Sequence, residues 1–354
     1  ILGDGTTLLK GSFARYYQAL NSQWFNGFNP NAQSIYRGLY DPGTMQVVEL
    51  QGYYLPAATS PRWKDYELRN PSSEEYTVGF ERELMEDWSF SARGIFKKST
   101  DILEDVDANS LDVDALLGTG VLVWKNWTPV FATGPNGEEV RFWEKQEVLP
   151  QDMVAINAPG ESRKYQALEL TLRKRLSRGW MMEVSYVLSR LEGLFNTDFS
   201  STTSITSYYN QPSVHEHADG RLENDRRHYL KVYGLLQGPW GINLSGMFRM
   251  YSGNRYSSFV RNTDLGVILS NVSSQSVRTS ERGVFGLPMQ HVLDLRLEKQ
   301  FLFGRKLTLA LFADCFNVFN EGKAIDVYTT DGSSVKPFGT MTGISAPRVF
   351  RLGG

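Results

Sequence analysis

Two short segments carry side chains whose types and spacing could hold a metal ion. Asp105, Asp107 and Asn109 have the spacing with which an EF-hand loop begins, and oxygen ligands of this kind suit calcium. Ser110 stands where that loop needs glycine, and Leu116 stands where it needs a bidentate glutamate. The sequence therefore argues against an EF-hand, and it leaves weak, irregular cation binding open for the acidic segment around these residues.

The second candidate is the run His215–His217, with Asp219 close behind it. Imidazole and carboxylate groups ligate transition metals, but two histidines two positions apart leave the remaining ligands unfixed. A solvated or packed loop is therefore the simpler interpretation. His228 and His291 fall at strand positions, where we expect them to pack or to form hydrogen bonds.

Signatures of catalysis are missing from the sequence. The four histidines do not lie in a recognisable nucleophile context, and there is neither a Gly-x-Ser-x-Gly motif nor a glycine-rich phosphate loop. Cys315 is the single cysteine of these 354 residues, which excludes an internal disulfide and a cysteine-based metal site. We therefore predict that the protein is not an enzyme and that it needs no cofactor.

Alternation of apolar and polar residues indicates the elements that must position any site. In the segment 75–98, Tyr76 and Val78 begin an apolar series that is interrupted at 86–87 and resumes at Trp88. A period of two indicates strands whose two faces meet different surroundings. Each run is ten residues or longer, and a tilted strand needs roughly 9–11 residues to cross a bilayer.

The same pattern predicts ten long strands. Besides the hairpin within 75–98, they are Thr6–Tyr17, Ser162–Leu176, Trp180–Leu188, Arg227–Gln237, Trp240–Tyr251, Met289–Phe301, Lys306–Phe319 and Pro347–Leu352. Short turns at 86–87, 177–179, 238–239 and 302–305 alternate with long segments. Outer-membrane barrels have short periplasmic turns and long extracellular loops in this way. We therefore predict an all-β fold, an antiparallel transmembrane β-barrel with short periplasmic turns and long extracellular loops. One of these loops is predicted to contain a hairpin of its own, Trp127–Ala132 with Glu139–Gln146.

The charged residues of these strands share one parity. They are Lys10, Glu75, Glu81, Arg93, Lys97, Glu169, Arg173, Glu183, Lys231, Arg249, Asp294, Arg296, Glu298 and Asp314. The other parity is apolar except for Arg15, Arg82 and Lys174 near strand ends, whose long side chains can reach the interface. A face of mixed charge indicates a watery or plugged lumen, and the apolar face indicates lipid.

Tryptophans and composition agree with a membrane barrel. Trp88, Trp180 and Trp240 each open the strand after a short turn, at the same height, and tryptophan favours the membrane–water interface, so we expect a periplasmic aromatic girdle. The 37 basic and 39 acidic residues nearly balance, which gives no bulk attraction to nucleic acid. No apolar run approaches the roughly 18 residues that a membrane helix requires.

Five segments carry a family resemblance through their order along the chain. They are RNPSSEEYTVGFEREL, YQALELTLRKRLSRGW, ENDRRHYLKVYGLLQGPWGINLSGMFRMYSG, FADCFNVFN and APRVFRLG. In this succession they resemble the C-terminal barrel of TonB-dependent outer-membrane receptors, in particular the Oar-like subgroup that carries a carboxypeptidase-regulatory-like domain. The resemblance implies a 22-stranded barrel, an internal plug, and import driven by an inner-membrane complex that acts on an N-terminal box.

The sequence departs from that family pattern in its extent. The 354 residues begin ILGDGTTLL and end RVFRLGG, and they contain neither the plug, nor the coupling box, nor roughly the first half of such a barrel. We therefore expect residues 1–354 to be the C-terminal portion of a barrel in the cell outer membrane. The expected partners are outer-membrane lipid and, through the missing N-terminal part, a TonB-type energy-coupling complex.

Ligand capture is expected at the lumen and in the loops. The candidate ligand-binding residues are Arg93, Glu169, Arg173 and Arg249 on the charged face, and Trp124, Trp127, Tyr208 and Tyr209 in the loops. Charged groups and aromatic rings together suit polar ligands. The predicted function is the binding and import of a scarce nutrient, namely a peptide, a glycan or a metal chelate. A passive porin or adhesin barrel and a secreted soluble β-rich binding protein stay open as alternatives.

Overall fold

The computed structural model describes residues 5–18, 35–41, 43–44, 46–54, 67–149, 152–195, 208–209, 211–304 and 307–354. Its main element is one antiparallel sheet, and the strand numbers absent from this sheet belong to short strands in the connections. The ten strands are β1 (Thr7–Tyr17), β4 (Ser72–Met85), β5 (Trp88–Thr100), β10 (Glu161–Ser177), β11 (Trp180–Gly193), β12 (His228–Gln237), β13 (Ile242–Tyr251), β18 (Gln290–Phe303), β19 (Leu307–Phe316) and β22 (Val349–Gly353). Their order in the sheet is their order in the chain, which confirms the predicted all-β fold and strand count.

Short and long connections alternate along this sheet. The short ones are 86–87, 178–179, 238–241 and 304–306, of which 305 and 306 lie outside the described residues. Because each strand is antiparallel to the next, all four short turns lie at one end and all long connections at the other. The predicted alternation is confirmed, with strand ends displaced by a few residues.

The strand register separates the two predicted faces. Leu170 lies opposite Ala92 on one side and Tyr186 on the other, whereas its neighbour Glu169 lies opposite Arg93. Residues directly opposite each other in an antiparallel pair share a face of the sheet. The register keeps this parity across all ten strands, so that apolar and charged residues occupy opposite faces except near the strand ends.

The apolar face is exposed from one edge of the sheet to the other. Val78 on β4 is 71% exposed and Leu352 on β22 is 81% exposed, with Leu244 and Leu297 on the strands between them also exposed. Soluble monomers rarely expose an apolar patch larger than a few hundred Å². An apolar surface that spans ten strands therefore requires an apolar environment.

Three tryptophans lie near the end of the sheet that carries the short turns. Trp88 and Trp180 make an edge-to-face contact with ring centroids 5.8 Å apart. Trp240 belongs to the 3-10 turn Pro239–Gly241, so β13 begins at Ile242 and not at the tryptophan as predicted. In the register, Trp180 lies two residues closer to the short turns than Trp88, and Trp240 four residues closer than Trp180. Such a progressive stagger is expected of tilted barrel strands.

Two lysines on the apolar face lie near the short turns. Lys174 is 5% exposed, and its Nζ donates to the carbonyl oxygens of Ser177 and Trp180 at 3.1 and 3.0 Å. The same ammonium lies 4.2 Å from the centroid of the Trp180 ring. Lys299, which was not predicted on this face, donates to the carbonyl oxygen of Trp240. Both lysine side chains therefore bend back toward the turns, and the middle of the face stays apolar.

A second charged group lies on the apolar face at the long-loop end. Arg15 pairs with Glu74, and Lys98 Nζ lies 3.1 Å from the other oxygen of that carboxylate. Sequence reasoning placed Arg15 correctly near a strand end but missed the two partners. The cluster ties β1, β4 and β5 together where the strands leave the apolar zone.

The long connections are folded. The hairpin predicted at 127–146 is confirmed, whereas the other long segments, predicted to be irregular, also contain regular structure. They contain two-stranded sheets made by β2 (Ile35–Asp41) and β3 (Gln46–Tyr54), β6 (Leu103–Asp107) and β9 (Met153–Asn157), β7 (Trp127–Thr133) and β8 (Glu139–Lys145), β14 (Arg255–Tyr256) and β17 (Phe285–Gly286), β15 (Phe259–Arg261) and β16 (Ser276–Arg278), and β20 (Ala324–Val327) and β21 (Met341–Ile344). The described part of the connections also contains an α-helix, α1 (Val113–Thr119), which is capped by the Asp112 carboxylate through a hydrogen bond from the Ala115 amide.

Two hydrophobic cores lie within these connections. The first comprises Ile102, Val106, Leu111, Val113, Leu116, Val154, Ile156, Ala158, Phe195 and Tyr209. The second comprises Val140, Phe142, Val260, Leu269 and Val277. Each core joins two different long connections, so the loops pack into common units at one end of the sheet. Among the described residues, no helix is long and apolar enough to cross a bilayer.

Candidate ligand-binding site

Ion pairs connect neighbouring strands on the charged face of the sheet. All fourteen charged residues predicted for one face lie on it by the strand register. Arg93 Nε donates to Glu169 Oε2 at 2.9 Å across β5 and β10, and Arg173 Nε donates to Glu183 Oε2 at 2.8 Å across β10 and β11. Three of the predicted ligand-binding residues therefore belong to two ion pairs on this face, one on each side of β10.

The ion pairs continue to the far edge of the sheet. Arg249, the fourth predicted residue of this face, donates to Asp294 Oδ2 at 2.8 Å. Asp314 is 4% exposed and accepts from Arg296 Nε at 2.7 Å and from Arg351 Nε at 2.8 Å. Sequence reasoning missed Arg351, although its position between two exposed apolar residues of β22 is the signal that places it on the charged face.

The Asp314 carboxylate anchors the last strand of the sheet. We expect Asp314→Asn in the intact protein to accelerate hydrogen exchange in β22, because two guanidiniums lose the charge that holds them between neighbouring strands. Glu298→Gln is the matched control on the same face, since Glu298 accepts only from the neutral amides of Asn243 and Gln300 among the described residues. Equal protection of β22 in Asp314→Asn and wild type would contradict this role.

The two predicted loop tryptophans lie in folded parts of the connections. Trp124 packs against the first hydrophobic core, and its ring centroid lies 5.7 Å from that of His215. Trp127 begins β7, and Lys145 Nζ lies 5.1 Å from the centroid of its ring. The indole Nε1 of Trp127 is buried without a hydrogen-bond partner among the described residues. Contacts with other loop residues therefore cover part of each tryptophan side chain.

The two predicted tyrosines lie next to these residues. Tyr209 is 3% exposed, contacts the His215 ring at a centroid distance of 5.0 Å, and has its pKa raised by burial and by the charge of Glu104. Tyr208 packs edge-on against Phe195, and its hydroxyl oxygen accepts from Arg282 Nη2 at 3.1 Å. The structure thus brings Tyr208, Tyr209 and Trp124 into one loop cluster around the first core.

The His215–His217 run is used for loop packing. The Glu216 carboxylate accepts from Arg141 through Nε and Nη2, both at 2.8 Å, and from Trp143 Nε1 at 3.1 Å. His215 lies between aromatic rings, and burial lowers its pKa, which favours the neutral imidazole. Within the described residues, no group of three or more histidine, cysteine, aspartate or glutamate side chains is arranged to hold a metal ion.

The calcium-like segment also has a local structural role. Asp107 Oδ1 accepts from the amides of Asn109 and Asp152, both at 3.1 Å, and Oδ2 accepts from the Ser110 hydroxyl at 2.8 Å. This carboxylate closes the turn after β6 and binds the chain to the start of β9. The hydrogen bonds explain the acidic residue at 107 without an ion.

A model of the outer membrane beta barrel domain matches residues 2–260, which are 259 of the 354 residues. The chain belongs to this outer-membrane β-barrel family. It therefore lies in the cell outer membrane, as predicted, and its apolar face is the surface that lipid covers. The charged face is the lumen side, and the alternative of a secreted soluble protein is wrong.

Solved structures of outer-membrane proteins align with the chain, and one of them reaches a TM-score that supports a shared fold. The outer membrane transporter YddB from Escherichia coli aligns with a TM-score of 0.52 at 12% identity, over 99% of this chain and 38% of that chain. FpvA from P. aeruginosa, solved bound to pyoverdines, aligns at 0.48, 11% identity and 99% and 31% coverage. The ferric-catecholate import receptor Fiu from E. coli K12 aligns at 0.47, 8% identity and 99% and 33% coverage.

These likenesses define the fold and not the cargo. An identity of 12% at a TM-score of 0.52 supports a common architecture, and the two lower scores support nothing further. The chain spans less than two fifths of the length of each of these three proteins. No curated protein sequence matches the chain.

Proposed function

We propose that residues 1–354 form the C-terminal portion of a larger barrel of about 22 strands, in a TonB-dependent receptor of the Oar-like subgroup. The proposal is supported by the ordered sequence resemblance and by the 38% of YddB that the chain spans. In the described sheet β1 and β22 each have a single neighbour, and open edges are not tolerated in lipid. Further strands of the same protein would pair with these edges, and a plug domain would occupy the lumen.

The proposed activity is import of a scarce nutrient without catalysis. The main support for this proposal is the charged lumen face, which lies beneath folded extracellular loops. A cargo must pass from these loops into the lumen. Arg93, Glu169, Arg173 and Arg249 would contact a polar cargo in the lumen, while Trp124, Trp127 and the two tyrosines would contribute on the loop side. The cargo class is a peptide, a glycan or a metal chelate, and the energy would come from an inner-membrane TonB-type complex.

Uptake by intact cells tests this proposal. We expect a strain lacking the complete gene to grow poorly on one of three sole sources, a tryptic peptide mixture, an oligosaccharide mixture or ferric citrate as iron source, and the restored gene to rescue growth. Because the proposed import consumes the energy of the inner membrane, a protonophore should abolish uptake of that source. Gene-dependent uptake that persists with the protonophore would instead favour the passive barrel. An unchanged deletion strain on all three sources would contradict import of these nutrient classes.

A further inference from the structure

Three long connections enclose a cavity of about 480 Å³ at the loop end of the sheet. Its lining comes from the segments that precede β12, lie between β13 and β18, and follow β19. Four arginines line the wall, namely Arg221, Arg255, Arg278 and Arg282. Ligand-binding pockets commonly have volumes of about 300–1,000 Å³, so the cavity is large enough for a small organic molecule.

Two of the four arginines are fixed by hydrogen bonds. Arg221 Nε donates to Asp225 Oδ2 at 2.5 Å, and Asp225 is fully buried. Arg282 is 4% exposed and donates through Nη1 to the carbonyl oxygen of Ala218 at 2.9 Å and through Nη2 to the Tyr208 hydroxyl at 3.1 Å. These contacts hold two guanidiniums in place at the cavity wall.

The other two arginines have no ion pair with any described carboxylate. Arg255 Nε is buried without a hydrogen-bond partner, and the Arg278 guanidinium lies 5.1 Å from the centroid of the Phe259 ring. Burial lowers the pKa of both, and a neighbouring guanidinium lowers it further, Arg221 for the first and Arg282 for the second. The charge of Asp225 partly opposes the shift at Arg255, and Glu223 and a hydrogen bond with Tyr208 partly oppose it at Arg278. Because arginine stays protonated in proteins, both guanidiniums keep their positive charge.

Carboxylates do not balance this charge. Glu223 and Asp326 are the acidic residues in the lining, and Asp225 lies behind Arg221. The Asp326 carboxylate already accepts from the Thr342 hydroxyl at 2.8 Å and from the Val327 amide at 2.9 Å. Four guanidiniums therefore meet three carboxylates, of which one is fully buried and one is engaged elsewhere, and the cavity keeps a net positive charge.

Two backbone segments meet closely beside the cavity. Gly283 has a φ of 66°, and a Cβ at this position would lie 2.2 Å from the carbonyl oxygen of Arg221. Gly220 has a φ of 154°, and a Cβ there would lie 2.7 Å from the carbonyl oxygen of Arg282. The two backbones approach each other as only glycine allows. This contact fixes the backbone of Arg221 and Arg282 before a ligand arrives, which lowers the cost of ordering these two side chains on binding.

We propose that this cavity binds an anion that carries two or more carboxylate or phosphate groups, with Arg255 and Arg278 as its principal contacts. Guanidinium pairs recognise both kinds of oxyanion through charge-assisted, often bidentate hydrogen bonds. As a statement about cargo, this rests on the proposed import function, and it narrows the cargo to acidic peptides, acidic glycans or anionic chelates. Binding itself does not depend on energy coupling.

Calorimetric titration of the purified full-length protein tests the cavity. We expect citrate or pyrophosphate to bind the wild type and neutral glycerol not to bind, and the comparison of the two anions distinguishes carboxylate from phosphate preference. Arg255→Gln and Arg278→Gln should each weaken binding by roughly tenfold or more, since each removes a charged hydrogen-bond donor. Arg261→Gln is the matched control in the same connection, because Arg261 pairs with Asp264 at 2.9 Å outside the cavity lining.

Arginine footprinting gives a second measurement on the wild type alone. Pyrophosphate or citrate should protect Arg255 and Arg278 from phenylglyoxal and leave Arg261 reactive. If the glutamine variants fail to assemble, this protection decides the matter. Absence of binding to the wild type, equal binding by all variants, or absence of protection would each overturn the proposal.

The cavity and the import function fail in different ways. Energised uptake by a protein that binds neither anion would overturn the anion site and leave the importer intact. Binding of an anion by a protein whose uptake resists a protonophore would overturn energy coupling and leave the site intact.

Discussion

Leu170→Arg will block assembly of the full-length protein in the outer membrane, whereas Thr171→Arg one residue later will not. Leu170 lies on β10 in the interior of the sheet, opposite Ala92 and Tyr186 on the lipid-facing side. An arginine on the lipid face at mid-membrane costs about 2–4 kcal/mol. Unlike Lys174 near the short turn, an arginine at 170 has no turn carbonyls beside it.

Thr171 is the matched control because it is adjacent in sequence and opposite in face. It lies opposite Ser91 and Ser185 on the lumen side, where charged residues are the rule. The amount of folded barrel in outer-membrane fractions, read from its heat-modifiable migration in gels, measures both variants. Equal assembly of the two variants would mean that the faces are assigned wrongly or that lipid does not cover the apolar one.

The sheet could be predicted because its physics is local and repeated. In a strand between lipid and water, apolar and polar residues alternate with a period of two. The faces of each strand can therefore be assigned from its own sequence, and all ten strands show the same pattern. Lys299 was missed although the alternation of Leu293, Leu295 and Leu297 already places it on the apolar side, and its pairing with Ile242 and Leu311 agrees with this position. Trp240 was predicted to begin a strand from its aromatic character alone. Its positive φ of 61°, which is not visible in the sequence, places it in the turn.

The loops could not be predicted because their structure depends on distant contacts. The Glu216 carboxylate binds Arg141, which comes from another connection 75 residues away. The four arginines of the cavity likewise come from two connections separated by β12 and β13. No local period records such pairs, and an isolated arginine in a loop reads as a solvated charge. The predicted aromatic residues were found by composition, but the charged cavity was not.

Glu104 shows how unusual these loops are. It lies on β6 opposite Ile156, is fully buried, and has neither carboxylate oxygen hydrogen-bonded to a described residue. Burial, and then the charge of Asp105, raise its pKa to about 10. The folded loop unit therefore holds a neutral carboxylic acid at neutral pH, whereas the unfolded segment would ionise above its ordinary value of 4.5.

This difference fixes the sign of a pH effect. A pKa that is higher in the folded state means that folding takes up a proton, so the stability contribution is complete below pH 4.5 and declines as pH rises toward 10. Between pH 4.5 and pH 7 the loop unit loses roughly 3 kcal/mol at about 1.4 kcal/mol per pH unit. We therefore expect the opening equilibrium of this unit to increase by about tenfold per pH unit across the neutral range.

Glu104→Gln should remove that dependence, because an amide of the same size does not ionise. Hydrogen exchange of the β6 and β9 amides in the full-length protein, corrected for intrinsic rates at pH 5.5, 7 and 8.5, measures the opening. Glu147→Gln serves as control, since Glu147 is an exposed glutamate of the same connection and its loss should leave the wild-type slope unchanged. A wild type whose protection is flat with pH, or a variant that keeps the slope, would contradict a neutral buried Glu104.

The same opening bears on ligand capture. Tyr209 belongs to the core that covers Glu104, Trp124 packs against it, and Tyr208 contacts Phe195 of that core. In the closed loop unit Tyr209 is almost inaccessible, so its ring can meet a ligand only when the unit opens. If the loop aromatics take part in capture through opening, Glu104→Gln should weaken that contribution at pH 8.5.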